Sequence, residues 1–276
     1  VFGRDLSGAN GHHRGVEAPP FDSVERWAWD YIRSTSLEAK LEPPPAPDRW
    51  ETRPPVRRLT VPGRPPELRT VTKAPRSRGL VSDMGRARAL HTFFHHELQA
   101  AELMAWALLA FPDAPAELRA GLLRIAVDEV RHMRLYAGQI ERLGHRIGEF
   151  TVRDWFWDRV PSCADPVAFV STMGLGLESA NLDHAAVFAA RFRAVGDEEG
   201  ARVQEVVGAD EVGHVRFGAT WFVELAGSLT FEAWMASLPA PLSPMLMRGR
   251  PLHREARLRA GVPVAFVDQL EAWQPA

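Results

Sequence analysis

Four long stretches of the chain carry apolar residues at alternating steps of three and four, the period of a helix face turned to a core. The first runs from Asp83 to about Phe111, with Leu90, Phe94, Ala101, Met104 and Leu108 in its stripe. The second, from about Ala116 to Leu143, presents Leu118, Leu122, Ile125, Tyr136 and Leu143. The third starts near Pro166, which suits a first turn, and carries Val170, Gly174, Leu182, Ala185 and Phe192. After a stop at Gly196 and Asp197 the fourth presents Val203, Val207, Gly218, Phe222 and Leu225 and ends at Gly227. Each stripe is interrupted in mid-course by an acid: Glu97, Glu129, Glu178 and Glu211. His132 and His214 lie on the same faces, three positions after the second and fourth acids.

The connections fix how these helices are arranged. Residues 111–115, Phe-Pro-Asp-Ala-Pro, form a tight turn, so the first two helices are antiparallel neighbours. Residues 144–165 lack a long helical pattern and suit a crossover along the length of a bundle. Short, long, short is the order of an all-α, ferritin-like four-helix bundle with one long crossover connection. The expected organisation is a flexible N-terminal arm (1–20), an N-terminal helix and Pro/Arg-rich strap (21–82), the bundle (83–227), and a C-terminal short helix and tail (228–276).

The flanks are less regular. Residues 1–20 are rich in Gly, His and Pro, and His12 and His13 are expected to be a pair in a loose arm rather than a metal site. Helical periodicity returns from Phe21 to about Leu41, with Val24, Trp27 and Tyr31 on one face and Asp22 or Ser23 as cap. Ten prolines from Pro43 to Pro75 then exclude regular structure, since each removes a backbone donor and fixes φ. Eight arginines and Lys73 between Arg49 and Arg78 offer two readings. One is a grip on an anionic substrate or nucleic acid. The other, which is expected here, is an extended strap whose arginine stems pack on the bundle.

The acids and histidines form a repeated constellation. Asp-Glu-Val-Arg-His (128–132) and Asp-Glu-Val-Gly-His (210–214) each follow an inward glutamate one helix upstream, 32 positions before Glu129 and 33 before Glu211. Glutamate and histidine three apart lie about 60° around and ~4.5 Å along a helix, so both reach one centre. Four carboxylates facing one another in an apolar core would each cost several kcal/mol, and two divalent cations would cancel them. Glu97, Glu129, His132, Glu178, Glu211 and His214 are therefore the expected metal ligands. Oxygen and imidazole donors suit iron or manganese, so the expected cofactor is two iron ions, with manganese or a mixed pair as variants. Asp128 and Asp210 are placed to accept the other ring N–H of His214 and His132 across the bundle. Tyr136, one turn beyond His132, is a candidate redox or hydrogen-bonding partner. Gly174 and Gly176, one turn before Glu178, leave room for dioxygen or substrate, or else for close helix packing. His95, His96 and Glu102 fall off the stripe of Glu97 and are left out of the site.

Composition narrows the setting. Across 276 residues, 46% hydrophobic and 25% charged is the balance of a soluble globular chain. A formal net charge of −2 gives no general attraction to nucleic acid or membrane. The one cysteine, Cys163, excludes internal disulfides and multi-thiolate metal sites. No run approaches the ~18 apolar residues of a membrane span, no basic-then-apolar leader is visible, and the cytoplasm is the expected compartment.

Several segments also resemble a bacterial ferritin-like domain-of-unknown-function family. They are Leu90-His91-Thr92-Phe93-Phe94-His95-His96-Glu97-Leu98-Gln99-Ala100, both Asp-Glu-x-x-His motifs, Leu177-Glu178, Trp27 to Lys40, and Arg257-Leu258-Arg259-Ala260-Gly261, so the likeness spans about residues 20–262. It implies a diiron carboxylate site with the same six ligands. Better-understood members of that superfamily include rubrerythrins, ribonucleotide reductase small subunits and a tRNA hydroxylase.

The expected function is that of a non-haem diiron oxidoreductase activating dioxygen, a hydroxylase or other oxygenase on a small organic substrate. Glu97, Glu129, Glu178 and Glu211 would act through the metals. The alternatives are a rubrerythrin-like peroxidase or ferroxidase and a non-catalytic RNA- or protein-binding bundle. The oligomeric state is left open, with a homodimer as one option.

Overall fold

The computed structural model describes residues 17–73 and 79–275, and most of the expected N-terminal arm, with His12 and His13, lies outside them. Among the described residues the chain is all-helical, with one isolated parallel bridge, Thr70 to Val152, where the strap meets the crossover.

The N-terminal helix comes as two pieces. α1 (Val24–Arg33) is capped by Ser23, whose hydroxyl accepts the Arg26 N–H. α2 (Leu37–Leu41) is capped by Ser36. One continuous helix to Leu41 was the expectation. The Ser34-Thr35-Ser36 run instead ends α1 and caps α2, because short hydroxyl side chains compete for backbone groups.

α3 (Asp83–Ala110) and α4 (Ala116–Arg142) form one hairpin. After the crossover, α5 (Pro166–Thr172) runs through a single π-helical segment, Met173–Leu177, into α6 (Glu178–Ala194). The expected third helix is therefore interrupted one residue before Glu178. α6 pairs with α7 (Glu198–Ala226), which is capped by Asp197 and closed by left-handed Gly227 at φ 86°. Contacts of Asp128 with His214, Tyr136 with Gln204 and Arg142 with Asp197 pair rising positions on α4 with falling ones on α7, so the two run antiparallel.

α3 is the centre of the molecule. α1 covers the side that a four-helix bundle would leave wet, so α3 is buried nearly all round rather than along one stripe. The strap is tied down by its arginines. Arg57 pairs with Glu51 at 2.7 and 3.0 Å, and Arg58 donates to the carbonyls of Cys163 and Ala164. Arg64 reaches Glu102 and Asp154.

The C-terminal part holds more structure than one short helix and a tail. α8 (Phe231–Ala236) is followed by α9 (Arg254–Arg259) and α10 (Val264–Ala272). Their sequences are short and Arg- or Pro-flanked, so no long period announced them. Their anchor is Arg257, fully buried, which donates to both oxygens of Asp183 on α6 at 2.6 and 2.8 Å and to the carbonyls of Ser179 and Met247.

Candidate metal centre

The middle turns of the four bundle helices bring the six polar side chains of the stripes together. Donor atoms of Glu97, Glu129, His132 and Glu211 all lie within 4.8 Å of one another, and so do those of Glu129, Glu178, Glu211 and His214. Glu129 and Glu211 belong to both groups. Glu97 joins His132 on one side, and Glu178 joins His214 on the other. All six are buried, with the histidines at most 4% exposed.

Each histidine turns Nδ1 inward and Nε2 outward. His132 Nδ1 is 3.0 Å from Glu129 Oε2, and its Nε2 is 3.3 Å from Asp210 Oδ2. His214 Nδ1 lies 3.0 Å from Glu129 Oε1 and 3.2 Å from Glu211 Oε2, with Nε2 3.5 Å from Asp128. The aspartates thus sit where the sequence pattern put them, each across the bundle from its own motif. Arg131 donates to Asp210 and flanks the His132 ring. Asn181 donates to Glu211 Oε1 at 3.1 Å, a contact the motif spacing did not single out.

The donor set fits a cation. Glu97 Oε1 and Glu178 Oε1 are buried and accept no hydrogen bond within the chain. Burial, then the neighbouring Glu129 and Glu211, pushes both carboxyls well above the usual range, so protons stand in for positive charge there. Burial also opposes ionisation of Glu129, but His214 and His132 outweigh it and hold that carboxyl low. His214 is raised correspondingly, its burial outweighed by Glu129 and Glu211. A cluster whose negative charge is met by protons on Glu97, Glu178 and the two histidines is one that divalent cations would neutralise better.

The remaining candidates lie outside the cluster. The Tyr136 hydroxyl is 3.5 Å from Gln204 Oε1, and its ring stacks on Phe93 at 5.7 Å, so it is a core tyrosine with its own partner. Gly174 and Gly176 leave no room for a ligand. A Cβ on Gly174 would come within 2.9 Å of Gly218 Cα, and one on Gly176 within 2.6 Å of Leu246. Close packing of α7 and the C-terminal segment is what these glycines allow. His95 bonds Asp154 at 2.8 Å.

Glu102 is not in the metal cluster, but it is far from an ordinary surface acid. It is fully buried and accepts from Lys40 Nζ at 2.7 Å, Arg64 at 2.6 and 2.8 Å, and Trp157 Nε1 at 2.7 Å. A signal existed in the sequence: Lys40 is one of two lysines in an arginine-rich chain. Nothing in the periodicity ties it to Glu102.

A cavity of about 290 Å3 reaches the centre from the side of α3 and α6. Its wall includes Glu97 and Glu178, the glutamates unique to each group, together with His96, Trp155, Phe156 and Leu246. No helix among the described residues is long and apolar enough to cross a membrane.

The chain belongs to the family described as "Protein of unknown function (DUF455)", which matches residues 23–268. An uncharacterized protein of Haemophilus influenzae is 26% identical over 164 residues, which are 56% of this chain and 57% of that protein. The chain thus spans a little over half the length of the curated relative it matches. No solved structure matches it.

Proposed function

We propose that the cluster holds two iron ions, or manganese or one of each, and that the protein is a ferritin-like non-haem oxidoreductase that activates dioxygen. The reaction we assign is hydroxylation or another oxygenation of a small organic molecule. The observation that carries this is the pair of four-residue groups sharing Glu129 and Glu211. When bound, such a metal pair supplies electrons for dioxygen reduction and Lewis acidity toward oxygen.

The chain's own residues do the rest. Glu129 and Glu211, common to both groups, would hold the ions together. Glu97 with His132, and Glu178 with His214, would complete each side. Asp210 and Asp128 face Nε2 of His132 and His214 at 3.3 and 3.5 Å, which leaves Nδ1 of each ring for the ion. The apolar packing of α3, α4, α6 and α7 excludes bulk water from the centre. The cavity against Glu97 and Glu178 favours an organic substrate over a peroxidase or ferroxidase that needs none. Arg57, Arg58 and Arg64 are bound within the chain, which takes them from the phosphate grip that an RNA-binding bundle requires.

Metal analysis of protein grown with iron and manganese tests the reading. Two ions per chain are expected. Fewer than one per chain after reconstitution would remove the proposed centre.

A further inference from the structure

We propose that the cavity between α3, α6 and the C-terminal segment binds a small uncharged aromatic molecule of one or two rings that carries a hydroxyl, as the substrate of the metal centre. Its role as substrate rests on the metal reading above; its role as a binding site does not.

The cavity's size sets the scale. About 290 Å3 is roughly twice the ~150 Å3 that admits one benzene ring, enough for a fused pair. Its lining sets the shape preference. Phe156 and His96 stack at 5.0 Å and 25°, a flat surface against which another ring can lie. Leu177 and Leu246 add apolar wall.

The wall carries charge of both signs, Arg248 against Glu97 and Glu178, which favours no net-charged ligand. Arg248 donates Nη1 to the carbonyls of Leu270 and Glu271 and Nη2 to that of Trp273, while its buried Nε has no partner. Glu97 and Glu178 belong to the metal cluster. Two imidazoles, His96 and His184, also line the cavity, and neither makes a hydrogen bond to another described residue. His96 lies among rings, with Phe93 edge-on at 6.4 Å and no carboxylate partner. An imidazole ring nitrogen can donate to or accept from a hydroxyl, which itself does both.

The outer wall is held deliberately. Asp183 accepts the Gly249 N–H at 2.7 Å and anchors Arg257, which fixes the segment carrying Leu246 and Arg248. Residue 176 is glycine where Leu246 approaches the π-helical turn, so this segment can seat directly beside Glu178.

The test is calorimetric titration of the full chain with 2-naphthol, metal-loaded and after chelation, with metal content measured in the same samples. One equivalent should bind in both states. The anion 2-naphthoate should bind at least about tenfold more weakly. Ala180→Leu, which fills the cavity, should weaken 2-naphthol by about tenfold or more, and His96→Phe, which keeps the stack but not the hydrogen bond, by several-fold. No binding, equal binding of the naphthoate, or affinity unchanged in both variants would overturn the proposal. Two metals per chain without 2-naphthol binding would remove the pocket and leave the metal reading. Binding by a chain that takes up no metal would do the reverse.

Discussion

Glu102 and Glu129 are both fully buried carboxylates on neighbouring helices, and cationic partners hold both ionised, but only the partners of Glu129 are imidazoles that could also hold a metal. Glu102 faces an ammonium and a guanidinium, which hold it ionised against burial. Removing one member of such a cluster strands the others, at a cost of about 3–5 kcal/mol. Glu102→Gln is therefore expected to lower stability by several kcal/mol, measured by denaturant unfolding, while the folded fraction keeps its metals. Glu129→Ala and Glu211→Ala should instead abolish metal binding at both positions, because each residue is shared. Asp128→Ala or Asp210→Ala should lower metal affinity by about 10–100-fold without unfolding the chain, read by competition with a chelator. A pH effect is expected at His91, whose Nε2 accepts the Gly148 N–H at 2.8 Å and whose pKa burial lowers to about 4. The unfolded chain takes up that proton near pH 6.5 and the folded one does not, so stability falls as pH drops from 6.5 toward 4. Between pH 7.5 and 4.5 wild type should lose roughly 2 kcal/mol more than His91→Gln; equal losses would remove His91 from the account. The four glutamates were legible because each stands where an apolar residue belongs and the arrangement occurs twice. Glu102 was not, since its partners Lys40 and Arg64 arrive from 62 and 38 positions away, Arg64 from the proline-broken strap.

Among elements, the four bundle helices follow directly from the three-four period, and their order from the lengths of the connections. The π-helical turn at Met173–Leu177 does not, because the steps of four from Val170 through Gly174 and Glu178 to Leu182 read as an uninterrupted α-helix. It matters to the site because it ends at Glu178 and packs Gly174 on Gly218, where a Cβ on Gly218 would lie 2.7 Å from backbone of Gly174. That clash cannot be relieved by turning a side chain, so α7 must move away from the turn. Gly218→Ala is expected to cost about 1–3 kcal/mol and to lower metal content toward one ion per chain, since Glu178 and His214 lie on the two elements forced apart. Gly138→Ala is the control. A Cβ there meets nothing within 4 Å, so it should be neutral or stabilise α4 by up to about 1 kcal/mol. Equal melting temperatures for the two variants would show that the close crossing carries no weight.

At the scale of the whole molecule, two buried ionic clusters clasp the bundle from opposite ends of the chain. Lys40 and Arg64 fasten the N-terminal helices and strap to α3 through Glu102, and Arg257 fastens the C-terminal segment to α6 through Asp183. Neither clasp was legible from pattern: the strap read as proline-broken chain and the C-terminal part as a tail, because each is closed by a carboxylate distant in sequence. The C-terminal clasp is open to test without touching a residue of the candidate metal centre. Asp183→Asn removes the counter-charge of a fully buried arginine and weakens the acceptors of the Gly249 and His253 N–H groups, at 2.7 and 2.5 Å. A loss of about 3–5 kcal/mol falls on this one segment, so residues beyond α8 should detach before the bundle unfolds. Limited proteolysis should then cut between Pro239 and His253 in the variant and spare wild type, with α3, α4, α6 and α7 still protected. Simultaneous digestion of bundle and segment would mean that the clasp holds the whole fold together rather than the C-terminal wall alone.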